Sequence, residues 1–582
     1  LADRAGAPNA SAGASSPPYP EALDDAQILA AIDARLREAW TAFKLRPSAK
    51  ATDGEWCRRV YLDLVGRIPT VDELDAYLSQ RGGGKRAELV DRLLGDEYRE
   101  EFARNWTTIW TNLLIGRTGG TERRTNTSRR GLEMYLSASF LANKPYDALV
   151  RELVTATGDA QPGSDDFNGA VNFLVDKLGD GGVQATAKTA QLFLGMSVQC
   201  TQCHNHPFND YRQNQFWELN AFFRQARVET EDMADDAMMR RARVEDEDFA
   251  GEGKQLGDMR REIFLEQRGG TVVDRDRGEL ESAPIFYDLR NGQVAAAYPA
   301  FVDGTRLAEV FAAQGSEFGN SGRVAQVNRR AELAKLIEQS PQLELAAVNR
   351  MWAHFFGYGF TTPVDDMGPH NAASHPELLA TLGEQFRASG FDLRRLMRWI
   401  VLSEAYGLSS RVGEGNAADD PAQGQPPRFS RFYVRQMQPE QLYESLLAAT
   451  RADAGLQGFD REALKTRWLA QMNTAVGNDE GAETSTFNGT IPQALMMMNG
   501  DLVRRATATD SGGFLDRVAN SPGLSDRQKI QYLYRAALAR TPGGDETRIC
   551  NELLASRRGN VVETLQDVWW AVLNSGEFIL VH

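Results

Sequence analysis

The sequence predicts a mainly α-helical protein, with two helical domains joined by a charged connector and a small β element. Three observations predict it. Apolar residues recur at three- and four-residue intervals over most of the chain. Helix-start signals punctuate those runs. Strand signals gather in one stretch, Thr271 to Val273 and Ile285 to Tyr287, with turn residues between.

Taken in order, residues 1–24 are expected to be a flexible arm. Their first twenty positions are mostly Ala, Gly, Ser and Pro, which cannot bury enough apolar surface to offset the entropy of ordering. The first helical domain is expected over 25–228. It opens with Ile28, Leu29, Ile32, Leu36, Trp40 and Phe43, one apolar stripe at helical spacing. Thr70 and Glu73 follow Pro69 as a capping box, a hydroxyl and a carboxylate that satisfy orphan amides at a helix start. Further helices are expected over 97–115, 146–157, 185–200 and 212–226.

Residues 229–320 are expected to form the connector. Asp, Glu and Arg crowd 229–270, as on a solvated excursion, before the strand signals begin. The second helical domain spans 321–582, with helices over 342–356, 375–388, 391–404 and 560–575. Pro439 suits the first turn of another helix, and Ser525 with Gln528 repeats the capping box. A polar loop covers roughly 413–427. No period of 20 to 50 residues recurs, which excludes a solenoid. Asn105–Trp110 and Trp569–Trp570 supply aromatics expected in the core.

Composition narrows the function class. The 582 residues carry a net charge of −15, which favours solubility and argues against a general nucleic-acid surface. No apolar run approaches about 18 residues, so no transmembrane segment is expected. The chain opens with Leu1, and the expectation is an exported protein whose signal has been removed, periplasmic or extracellular. No Gly-x-Ser-x-Gly elbow, phosphate loop or dinucleotide fingerprint appears in a strand–helix context.

The chemistry concentrates at Cys200-Thr-Gln-Cys203-His204. These five positions hold two of only four cysteines and one of only six histidines. Chance would produce such a pentapeptide about 3 times in ten thousand chains of this composition. Cys-x-x-Cys-His is the attachment signature of c-type haem: two thiols bind the vinyl groups and the imidazole ligates iron. On that reading Cys200, Cys203 and His204 hold a covalent haem c, and His204 is the iron ligand. His354, in the aromatic segment Trp352–Phe356, is the distal candidate. His370, His375 and the methionines 496–498 are weaker ones.

Two alternatives stand beside haem. Cys200, Cys203 and His206 at C-x2-C-x2-H spacing could bind a single transition-metal ion. Cys200 and Cys203 could instead form a disulfide or a redox-active pair. Asp365 and Asp366 would face opposite ways on an extended segment, and either could join His370 or His375 in a metal site. Cys57 and Cys550 read as separate buried thiols, with a disulfide between the chain's ends as the sharper alternative.

The surroundings of the motif carry a family resemblance. Ala187 through Phe208, followed by Phe216 through Phe223, resembles the N-terminal domain of a two-domain family abundant in planctomycetes, described as cytochrome-like and of unknown function. Arg58 through Thr70 resembles its opening segment. In the second half, Asn349–Gly357, Pro363–Met367, Ser374–Leu379, Ile491–Gly500 and Ala571–Phe578 resemble the companion domain. The resemblance runs from about Asp25 to His582. It implies export and transfers no established activity. The expected function is therefore extracytoplasmic electron transfer or redox chemistry by a c-type haem protein with an unknown redox or surface protein partner. A haem-free surface or secretion-associated scaffold is the alternative, with the Cys200–Cys203 disulfide or a His206 metal site.

Overall fold

The computed structural model describes residues 22–121, 125–175, 177–224, 226–232, 240–246, 285–313, 328–456, 458–476 and 491–582. Most of the expected arm, the Thr271–Val273 strand and the greater part of the connector lie outside the described residues. What is described is mainly helical, as expected. None of its helices is long and apolar enough to cross a membrane.

The local signals act where they were expected. Asp25–Ala42 is a helix that buries Ile28, Ile32, Leu36 and Trp40. Phe43 leaves the stripe: it caps the helix, half exposed, with the Arg428 guanidinium 3.5 Å above its ring. Thr70 and Glu73 form the capping box of the Val71–Ser79 helix, and Ser525 and Gln528 form that of Asp526–Leu538. Pro439 occupies the first turn of Pro439–Thr450. Pro341–Phe356, Pro376–Ala388, Leu393–Leu402 and Val561–Leu573 match expected spans closely.

Two expectations need correction. The helix expected over 185–200 is Val183–Leu194, and it stops at Gly195 in the left-handed region at φ 65°. The cysteine motif therefore lies beyond that helix, on a 3-10 turn, Gln199–Gln202. The helix expected over 212–226 is only Gln213–Asn220, and the chain then turns into a strand, Ala226–Asp232. That strand pairs antiparallel with Arg240–Asp246, whose far edge takes Gly158–Asp159. Alternating charged and small or β-branched residues suit a paired ribbon, which composition alone reads as a solvated excursion. The Ile285–Asp288 strand is present and pairs with Val294–Ala297.

One contiguous cluster of buried side chains runs from Ile28 to Val581 and includes both helical segments. Two arginine pairs clasp it. Arg58 donates to the carbonyls of Ala537, Leu580 and Phe578 at 3.3, 2.9 and 2.7 Å. Arg59 donates to Tyr406, to Leu408 at 3.0 Å and to His582 at 3.1 Å, and its guanidinium lies 3.7 Å over the Phe432 ring. From the other half, Arg329 reaches the Ala221 carbonyl at 2.9 Å, and Arg330 reaches Val154 and Ala156 at 3.0 and 2.9 Å. All four arginines are buried. A guanidinium has five donors, so it can satisfy several carbonyls that would otherwise be orphaned between helices. Burial, joined at Arg59 by the nearby Arg435 charge, pushes Arg58 and Arg59 down to about 10, still charged at neutral pH.

Candidate functional site at the cysteine–histidine turn

The turn is held from beneath and left open above. Thr201 is buried and its hydroxyl donates to the Val198 carbonyl at 2.6 Å. The Gln202 carbonyl accepts from Gln213 Nε2 at 3.2 Å and Trp217 Nε1 at 3.1 Å, which pins the turn to the Gln213–Asn220 helix. Asn205 Oδ1 accepts the Gln213 amide at 3.0 Å, and the His206 amide donates to the Tyr211 carbonyl at 2.8 Å. Cys200 and Cys203 are both exposed, unbonded thiols. Partial burial, with the nearby Asp366 carboxylate, raises the Cys200 thiol pKa.

The two histidines of the motif are fixed through different ring nitrogens. Nδ1 of His204 lies 2.6 Å from the Asn205 carbonyl, so it carries the proton and Nε2 keeps its lone pair. Nδ1 of His206 instead accepts two backbone amides, Phe208 at 3.2 Å and Asn209 at 3.1 Å. In the neutral ring the proton must then sit on Nε2, which makes that nitrogen a donor. Burial, aided by His370 and His204 and opposed by Asp366, keeps the His206 pKa below its ordinary value. Of the two, only His204 offers a free ligating nitrogen.

Tertiary structure brings the second half of the chain onto this turn. The Met367 amide donates to the Gly195 carbonyl at 2.7 Å, and Tyr211 Oη donates to the Met367 carbonyl at 3.2 Å. A Cβ on Gly195 would stand 2.6 Å from Met367 Sδ, so glycine serves both the helix stop and this close approach. The segment carries Asp366, whose Oδ1 lies 3.0 Å from His370 Nε2, and the His370 ring stands 5.9 Å from that of His206. Asp365 turns away to Gln191 and Arg350, so the adjacent carboxylates do face different partners. Among the described residues no three Cys, His, Asp or Glu side chains converge in a metal-binding group.

The other sequence candidates sit elsewhere. His354 packs its ring 4.9 Å from Trp106 and 5.1 Å from Phe355, with a backbone hydrogen bond to Asp63. That setting is built from the Asp53–Val65, Arg99–Ile115 and Pro341–Phe356 helices and not from the motif turn. His375 caps Pro376–Ala388, its Nδ1 3.0 Å from Ser374 Oγ and its ring between Phe360 and Phe429. Burial, with Arg428 adding to it, pushes its pKa down to about 4. In the Ile491–Asn499 helix Met497 is buried and Met498 is exposed. Cys57 and Cys550 are separate, buried, unbonded thiols. Sequence reasoning missed Gln213, Trp217, Tyr211 and Gly195, which shape the turn. Ordinary polar, aromatic and glycine residues carry no chemical signature, and their roles exist only through long-range partners.

Residues 31–228 match a family described as PSCyt2, a protein of unknown function (DUF1549). Residues 329–475 match PSD1, a protein of unknown function (DUF1553). No curated protein and no solved structure matches the chain.

Proposed function

We propose, for a chain that pairs a DUF1549 (PSCyt2) domain with a DUF1553 (PSD1) domain, that it is a c-type haem protein carrying electrons outside the cytoplasm. The observation that carries this reading is the state of His204: Nδ1 is tied to the Asn205 carbonyl, which leaves Nε2 for iron. The donor set fits the group. Cys200 and Cys203 are exposed thiols, one on a rigid 3-10 turn and one immediately after it, able to hold the porphyrin edge through thioethers. A haem c bound there supplies one-electron exchange between ferric and ferrous iron.

The chain's own residues do the rest. Asn205 fixes the tautomer and ring direction of His204. Trp217 and Gln213 stop the turn from relaxing when it is loaded. His206 is committed to the backbone of residues 208 and 209, which weighs against the C-x2-C-x2-H metal reading. Phe208, 80% exposed beside the motif, offers an apolar contact for a redox partner protein.

The test is a pyridine haemochrome spectrum with intact mass, on protein exported in a host that has cytochrome c maturation factors. The expected result is a Soret band and a haem-sized mass increment. Their absence overturns the reading and leaves the turn as a rigid surface element of a scaffold.

A further inference from the structure

A cleft of about 1200 Å³ opens among the Arg99–Ile115, Arg129–Leu141 and Gly458–Val476 helices. A recess of about 80 Å³ shares Thr108, Arg117 and Glu440 with it and ends on His354. Most of the floor is internally satisfied. Arg117 Nη1 donates to both Glu440 oxygens at 2.8 Å, Asn112 Nδ2 adds a third bond at 3.0 Å, and Gln438 accepts from the same guanidinium. The Arg117 and Glu440 charges cancel at the junction of recess and cleft.

Against this background, the buried polar atoms with no hydrogen-bond partner among the described residues include Nε2 of His354 in the recess and Oγ1 of Thr107 in the cleft. A buried polar atom left unpaired is costly, and these two differ from others in the core in belonging to residues that line a cavity a ligand could enter. The His354 ring donates its N–H to the Asp63 backbone and stays neutral, because burial and Arg435 push its pKa down to about 3. Nε2 is therefore a bare acceptor that only an O–H or N–H donor entering the recess can satisfy.

The lining selects the donor. Thr107, Thr118, Ser137 and Thr466 present hydroxyls among charged neighbours such as Glu100, Arg130 and Glu462, whereas the Thr108 and Thr121 hydroxyls donate to the Arg104 and Thr118 carbonyls; hydroxyls and charged groups alike pair with ligand O–H groups. Such a wall matches a ligand that is itself rich in hydroxyls better than a peptide with apolar side chains. The cleft also exceeds the roughly 300–1000 Å³ of pockets for small organic ligands, which leaves room for several sugar units.

We propose that this cleft binds a saccharide, with one ligand hydroxyl donating to Nε2 of His354 and another paired with Oγ1 of Thr107. The site is distinct from the cysteine–histidine turn and does not depend on haem.

The experiment is saturation-transfer NMR and calorimetry on the full chain with cellotetraose, mannotetraose and tetragalacturonate, and with a tetrapeptide pool as control. At least one saccharide is expected to bind. His354→Phe keeps the ring against Trp106 and removes the acceptor, and should weaken that binding about tenfold or more. Thr107→Val is nearly isosteric and should weaken it roughly threefold to tenfold, and it carries the test if His354→Phe does not fold. No saccharide binding, binding only of the peptide pool, or affinity unchanged in every folded variant would each overturn the proposal. In any of these cases ordered water alone fills the recess.

Discussion

The histidines of the 200–208 turn and the histidine at position 354 occupy opposite settings. His204 and His206 stand on an open surface turn, and each is oriented by backbone groups within three residues of itself. His354 lies at the bottom of a recess, oriented by Trp106 and Asp63, more than two hundred residues away along the chain. The first arrangement survives as long as a short peptide keeps its turn. The second exists only while both halves of the protein stay docked. Local chemistry is robust and readable; long-range chemistry is contingent on the fold.

The largest expected effect separates the two regions outright. On the proposed haem reading, replacing Cys200 and Cys203 together by Ala should abolish haem attachment while leaving the urea midpoint almost unmoved, because both thiols are exposed. Intact mass and equilibrium unfolding read the two outcomes, and a large loss of stability would show that the turn supports the core.

Arg59→Ala should do the reverse and fail both regions together. It strips donors from carbonyls of Tyr406, Leu408 and His582, and about 3–5 kcal/mol of unfolding free energy should be lost. A cost below about 1 kcal/mol would mean that the halves stay docked without this clasp.

Gly195→Ala tests the contact between turn and companion segment. The new Cβ meets Met367 and the backbone sits at φ 65°, so a loss of about 1–3 kcal/mol is expected, with Asp366 and His370 displaced from the turn. Saccharide binding at the His354 recess should not change. Parallel loss of that binding would tie the two sites into one unit.

Acid should act through the buried histidines. The His354 imidazole titrates near 6.5 when unfolded and near 3 when folded, so between those values the unfolded chain holds the extra proton. Stability therefore falls as pH drops from about 6.5 towards 3, by up to about 1.4 kcal/mol per pH unit for this group. His375 and His582, each pushed down to about 4, add to the same slope. Urea midpoints at pH 7 and pH 5 measure it, and His354→Phe should flatten the slope by about one proton.

The smallest effect is expected at Phe208. Its ring is exposed, so Phe208→Ala should change stability by less than about 0.5 kcal/mol. Electron exchange with a protein partner should nonetheless slow, which stopped-flow with the haem-loaded protein would detect.

Much of this molecule was legible before folding was considered. Helix starts at Thr70 and Ser525, the stripe from Ile28 to Trp40 and the Pro439 turn depend on residues within one or two turns of each other. The rarity of cysteine and histidine drew attention to residues 200–206 without any structure. The end of the Val183–Leu194 helix was misjudged by about six residues, because Gly195 stops it partly for the sake of Met367, a partner 172 positions on. The Ala226–Asp232 and Arg240–Asp246 ribbon was missed because charge-rich strands look solvated until their pairing is known.

The sequence by itself determined the helical class, the capping of its elements and the identity of the cysteine–histidine turn, because those follow from spacing along the chain. His204 and His206 are set by groups within three residues of themselves, and only the tertiary structure decided which nitrogen of His354 is left without a partner. It alone laid Asp366 and His370 beside the turn, and it set His354 in a recess beside Glu440. Backbone carbonyls and distant side chains set these outcomes, and their positions are fixed by packing rather than by neighbours in sequence.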